Sequence, residues 1–300
     1  MQTCHAGKGI ARSGWRKAFL GVLLVFAAGA NPVLAETYTQ RWEGFQTELI
    51  EKQPTFQMEP ELPTDHAYLK RILFPSGDMQ LQALLDTRNI EDGQRLPAVV
   101  YLHGGFGLRP REVELVTQPM TDAGLIVFAP TWRGENSNPG YFECFLGEVR
   151  DARAAINWLA EQDYVDPEQI YVFGWSVGGG IALNLSMLDG LPVRFSASSA
   201  GLYDLDLIES WATEDDYIVF PYDYRDEREN YFRLPLYHLQ DLQRPHTTYL
   251  GSADDFALLN GIVSDLYPQG SPAFSLIELQ GDHMSSLPLA VGAFLRQIED

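Results

Sequence analysis

From about residue 97 to residue 298 the chain alternates two apolar patterns. One is the short, nearly continuous run. "LPAVVYLHGG", "LIVFAPTWRG", "QIYVFGWS", "VRFSASSAG", "HTTYLGSADD" and "AFSLIELQGDH" are of this kind. Such runs suit strands buried on both faces of a parallel sheet. Between them lie stretches with helical spacing, such as "REVELVTQPMTDAG" and Gly147–Gln162, where Val149, Ala152, Ile156 and Leu159 share a face. "GGGIALNLSML", "FALLNGIVSDLY" and "SLPLAVGAFLRQIE" continue the alternation. Ahead of it, Ala67–Arg88 carries two extended runs around Ser76-Gly77-Asp78, a hairpin signal. The whole predicts an α/β fold, a doubly wound and mainly parallel sheet opened by an antiparallel hairpin. Its chemistry is expected at the carboxyl ends of the strands.

Ser176 stands at such an end, inside Gly174-Trp175-Ser176-Val177-Gly178, with a strand before it and a helix after it. The flanking glycines remove side chains that would clash in a sharp turn, so Oγ would stand above the sheet beside the helix's positive end. A serine hydroxyl needs a base to become a nucleophile. Of the six histidines, only His283 is downstream of the serine at a strand's carboxyl end. His103 opens a glycine-rich turn and reads as a structural hydrogen-bonding residue. The base needs a carboxylate to fix its tautomer. Asp254 and Asp255 end the preceding strand, and spacing does not choose between them. The order is Ser, Asp, His, that of an α/β-hydrolase. Oxyanion donors are expected from the Val177 N–H and from "HGGFG" (His103–Gly107), with Gly105 preferred and Phe106 next. Phe106 and Trp175 are the candidate pocket residues.

The first 35 residues change the picture of where the protein works. Lys8, Arg12, Arg16 and Lys17 precede an apolar stretch, Ala18–Ala30, and "VLA" then places small residues before Glu36. This reads as a secretory signal peptide, and export to the periplasm or beyond is expected, without stable membrane insertion after cleavage. Loss of four cationic and no acidic residues would take the formal charge from −20 to −24. Nucleic acid and anionic membranes are poor partners for such a surface. Cys4 leaves with the leader, so Cys144 stands alone and reads as a small packed residue. Residues 36–66 read as a polar, irregular N-terminal arm, and 67–300 as the catalytic domain.

"YLHGGFG", "TWRGENSNPGYFECFLGEVRDARAAINWL", "YVDPEQIYVFGWSVGGG" and "GSADDF…GDH" resemble the α/β-hydrolase superfamily, and within it the catalytic domain of the prolyl oligopeptidase family. The resemblance to dienelactone hydrolases is weaker, since those use a cysteine nucleophile. The resemblance implies Asp254 as the triad acid and Gly105 as an oxyanion donor. It also implies a serine hydrolase of peptide or ester bonds without a cofactor, acting on a short peptide or a small-molecule ester. About 60 mature residues before the strand at 97 are too few for the family's β-propeller.

Three further expectations follow. Arg133 and Glu135 form a buried pair that shapes their loop. The insertion 202–243 is a candidate cap over the site. No metal cluster or phosphate-cradling loop has the required spacing. A carboxylesterase is the alternative to a peptidase. A non-catalytic binding protein on the same fold is the alternative of a different class.

Overall fold

The computed structural model describes residues 36–55, 59–203, 220–254 and 273–299. The leader segment, the helix expected at 256–267, Asp255 and much of the candidate cap lie outside the described residues.

An eight-stranded sheet forms the centre, in the order β1-β2-β4-β3-β5-β6-β7-β8. The hairpin of β1 (Leu69–Ser76) and β2 (Met79–Asp86) pairs antiparallel, and β2 pairs antiparallel with β4 (Ile126–Pro130). β3 (Leu96–Leu102), β5 (Val165–Trp175), β6 (Phe195–Ser199), β7 (His246–Gly251) and β8 (Phe274–Leu279) continue in parallel from β4. The continuous apolar runs are strands with both faces covered, as their composition requires. In β3, Ala98, Val100 and Leu102 join one core cluster, while Val99 and Tyr101 join the other. The first cluster is closed by α3 (Gly147–Ala160) and α4 (Val177–Ser186), the second by α2 (Pro110–Asp122) and the C-terminal helix α6 (Leu287–Glu299). The side-chain period of two sends alternate residues to opposite layers.

Strand register aligns the carboxyl ends. Leu102 pairs with Gly174, Trp175 with Ser199, and Gly251 with Leu279. The loops that follow β3, β5, β6, β7 and β8 therefore emerge along one edge.

The arm is not irregular throughout. Tyr38–Gly44 forms a helix, α1, started by a capping box between Thr37 and Gln40. Seven residues are too few to be helical alone. Tertiary contact supplies the stability: Tyr38 and Trp42 are buried in the first cluster, and the Arg150 and Arg153 guanidinium groups lie over Trp42. The described part of the candidate cap, 220–243, holds a short helix α5 (Glu227–Asn230) and a 3-10 helix (Pro235–Asp241). Phe220, Tyr222, Phe232 and Leu234 are buried there.

Candidate active site

β5 runs directly into Ser176, which has φ +54° and ψ −117°. Few side chains are found in this region, and a non-glycine residue persists there only when its surroundings over-determine it. They do. The Ser176 N–H donates to the Ser199 carbonyl at 2.9 Å, and the Ser176 carbonyl accepts from Gly179, Gly180 and Leu202. The Gly178 N–H donates to the His103 carbonyl at 3.0 Å. Both flanking glycines are enforced by contact. A Cβ on Gly174 would lie 2.1 Å from the Gly178 carbonyl oxygen, and one on Gly178 would lie 2.1 Å from that of Leu102.

Asp254 follows β7 by three residues and is buried. Its Oδ2 lies 3.1 Å from His283 Nδ1. His283 stands on the turn after β8, where Asp282 Oδ1 accepts from the Met284 N–H at 3.1 Å and the Ser285 N–H at 2.8 Å. These bonds hold the Asp282 carboxyl below the usual carboxylate range. The β7 and β8 loops are joined by the Ala253 N–H to the Gly281 carbonyl at 2.9 Å. Trp175 reaches across from the serine side. Its ring centroid is 5.7 Å from that of His283, and its indole N–H donates to the His283 carbonyl at 3.4 Å. Its other face covers Gly104, where a Cβ would meet the ring at 2.6 Å.

The His103–Gly107 loop faces this pair. His103 Nδ1 donates to the Gly104 carbonyl at 3.1 Å, and Nε2 lies 3.1 Å from Glu135 Oε2. The ring stacks on Trp132 at 5.3 Å. Burial opposes a charged imidazole here, but the Glu135 carboxylate outweighs it and raises the His103 pKa to about 9. The Gly104 N–H is engaged by the Glu112 carboxylate. Gly105 has φ +68°. Among the described residues, neither the Gly105 nor the Val177 N–H donates to a backbone carbonyl. The side chain of Phe106 is buried edge-on against Phe142 at 5.2 Å.

The expected Arg133–Glu135 pair does not form. Arg133 binds Asp151 through Nε and Nη2, at 2.9 and 2.8 Å, and Glu143 through Nη1. Glu135 takes His103 instead. The chain reverses between the two at Gly134, whose φ is +73°, so the side chains leave on opposite sides. Cys144 is buried and its thiol is pushed up to about 12 by that burial, as a packed residue requires. Sequence reasoning missed Glu135 as the partner of His103. It also missed Asn136, which has φ +47° and clamps Leu108 through both its N–H and its carbonyl. The Asn in a glycine- and asparagine-rich turn was the available signal.

Comparison with known proteins agrees with this architecture. A sequence profile described as the prolyl oligopeptidase family matches residues 111–285, more than half of the chain. An uncharacterized peptidase of Bacillus subtilis is 31% identical over 151 residues, which cover 48% of this chain and 56% of that protein. An uncharacterized protein of Mycobacterium tuberculosis is 38% identical over 91 residues, 30% of this chain and 32% of that one. The chain thus spans about a third to just over half of the length of these relatives. Among solved structures, a puromycin-hydrolyzing peptidase of Mycobacterium tuberculosis superposes with a TM-score of 0.64 at 20% identity, over 79% of this chain and 40% of that one. An esterase of Pyrobaculum calidifontis gives 0.59 at 18% identity, over 78% and 85%. At such identities these two establish the α/β-hydrolase fold alone. With more than half its length matched by the profile, the chain belongs to the prolyl oligopeptidase family.

Proposed function

We propose that this protein is a serine hydrolase that cleaves peptide or ester bonds through an acyl-enzyme. Ser176 Oγ attacks the carbonyl. His283 takes the proton at Nε2, because Nδ1 is committed to Asp254. Asp254 holds the ring in that tautomer and stabilises the imidazolium. The developing oxyanion is received by the Val177 and Gly105 N–H groups, with the positive end of α4 behind the former. His283 then protonates the leaving group, and water repeats the sequence to release the acid. The observation that carries the reading is the buried Asp254 carboxylate 3.1 Å from His283, at the same sheet edge as a serine held in a strained turn.

Labelling of the full chain by a fluorophosphonate probe tests it. Ser176→Ala should abolish the labelling. A folded wild type that takes no label supports the non-catalytic alternative and sinks the enzyme reading.

A serine-type peptidase is the first choice within this class, supported by the family match. The same triad serves esters, whose leaving groups are better, so carboxylesterase is the second reading. Rates on acyl-nitrophenyl esters and short peptide anilides, measured side by side, decide between them. Absence of anilide cleavage removes the peptidase reading. Export is part of the proposal and is supported by the leader pattern in residues 1–35. It requires a mature N-terminus at Glu36, read by N-terminal sequencing of protein recovered outside the cytoplasm.

A further inference from the structure

The loop that offers the Gly105 N–H contains Gly104, Gly105 and Gly107. Glycines give it the left-handed φ it needs, and also the freedom to lose it. A donor that must reorganise at the moment of reaction stabilises little, so the backbone has to be fixed beforehand. The Gly104 carbonyl, in the same peptide unit as the Gly105 N–H, is fixed by His103 Nδ1 at 3.1 Å. On the far side of Gly105 the next carbonyl but one, that of Phe106, accepts from Thr55 Oγ1 at 3.1 Å. The two bonds clamp the donor from both directions along the chain.

Thr55 comes from the N-terminal arm, far from this loop in sequence. It is 3% exposed. Its N–H donates to the Gly134 carbonyl at 3.2 Å, and its hydroxyl also approaches that carbonyl at 3.4 Å. Gly134 admits the arm: a Cβ there would lie 3.0 Å from Pro54 Cα. The arm is stitched further back as well. The Phe142 N–H donates to the Gln53 carbonyl at 3.0 Å, and the Ile50 N–H to the Pro221 carbonyl at 2.8 Å. Thr47 Oγ1 and the Glu48 N–H both donate to the Glu229 carboxylate, at 2.7 and 2.8 Å. The arm therefore crosses the segment after β6, the loop after β4 and the loop after β3, and at Thr55 it sets a hydroxyl on the last of these.

We propose that Thr55 is a positioning residue for the oxyanion loop, which makes the N-terminal arm a working part of the catalytic apparatus. The inference rests on the reading of Ser176 as nucleophile and Gly105 as donor. Thr55 acts through the Phe106 carbonyl and touches no reacting atom.

The test uses the full chain, with p-nitrophenyl acetate as probe substrate and the fluorophosphonate as a second readout. Thr55→Val keeps the shape and removes the hydroxyl. Thr55→Ser keeps the hydroxyl and removes the methyl. Deleting a direct oxyanion donor costs about 10²–10³ in kcat, so loss of its support should cost roughly 10-fold. Thr55→Val should show that loss in kcat and in labelling rate, with KM within about twofold of wild type. Thr55→Ser should stay within about twofold in both. If the valine variant does not fold, Thr55→Ala takes its place beside the serine variant. Wild-type kcat in the hydroxyl-free variant overturns the proposal, as does an equal fall in the valine and serine variants, which would mean packing. A wild type that neither hydrolyses nor labels overturns the Ser176 reading, and this inference with it. An active wild type with an unaffected valine variant overturns the positioning role alone.

Discussion

His103 Nε2 lies 3.1 Å from Glu135 Oε2, and both side chains are sealed from solvent. The imidazolium is held charged by a carboxylate that pairs with no other cation among the described residues, while Nδ1 fixes the peptide that carries the Gly105 N–H. The folded pKa, about 9, is above the unfolded value of 6.5. Stability from this pair is therefore complete below about pH 6.5 and is lost as the pH rises through about 9. Glu135→Gln leaves a buried charge without its partner and should cost about 3–5 kcal/mol at neutral pH. It should also flatten the alkaline loss. Urea unfolding across that pH range measures both, and an unchanged alkaline slope in the variant refutes the assignment.

Glu148 makes a second pH-dependent contribution, of a different origin. It is buried in α3, accepts from the Glu143 N–H through Oε1, and has no partner on Oε2 among the described residues. Burial first, and the neighbouring Glu143 charge second, raise its pKa from 4.5 to about 8. The folded protein holds a proton there that the unfolded chain releases, so stability falls as the pH rises from about 4.5 to about 8. Glu148→Gln keeps an acceptor for Glu143 and has no charge to lose. It should raise the thermal midpoint near pH 8 and change it little near pH 5. Identical pH slopes in the two proteins would contradict this.

Gly178→Ala should unfold or severely weaken the protein. The added methyl would lie 2.1 Å from the Leu102 carbonyl oxygen, where backbone, not a flexible side chain, is in the way. Overpacking typically costs about 1–3 kcal/mol, and backbone in the way puts this site at the upper end of that range. Gly190→Ala is the control, since nothing lies within 4 Å of a Cβ there, although its φ of +69° adds some strain. Denaturant midpoints of the two variants should differ clearly; equal midpoints would show that the elbow has room to shift.

Asp254→Asn should lower kcat by about 10⁴, through the wrong tautomer of His283, with little change in stability. Asp255→Asn should leave kcat near wild type. The reverse pattern would transfer the triad role to Asp255.

The sheet and the edge that carries the candidate site were readable because strands covered on both faces leave unbroken apolar runs. Four of the six runs ended in residues that now stand at one edge: His103, Ser176, Asp254 and His283. Adjacent aspartates were not separable by spacing, since one residue's step changes the direction of a side chain and no count along the chain reports that. The Glu135 partnership was hidden for a related reason. It depends on left-handed backbone at Gly134 and Asn136, which reverses the turn. α1 was hidden because its stability comes from Trp42 entering the core beneath two arginines, not from its own seven residues. Thr55 looked like part of a polar tail, and only the fold brings it to Phe106.

The two hydrogen bonds that hold the elbow, Ser176 N–H to Ser199 and Gly178 N–H to His103, knit three neighbouring strand ends into one rigid jig. Their amide protons should exchange with solvent only when the whole domain opens. A jig of that kind leaves no local slack for adapting to a new acyl group. Evolution of substrate range in this chain should then leave Gly174, Ser176 and Gly178 unchanged and act on residues outside these two hydrogen bonds.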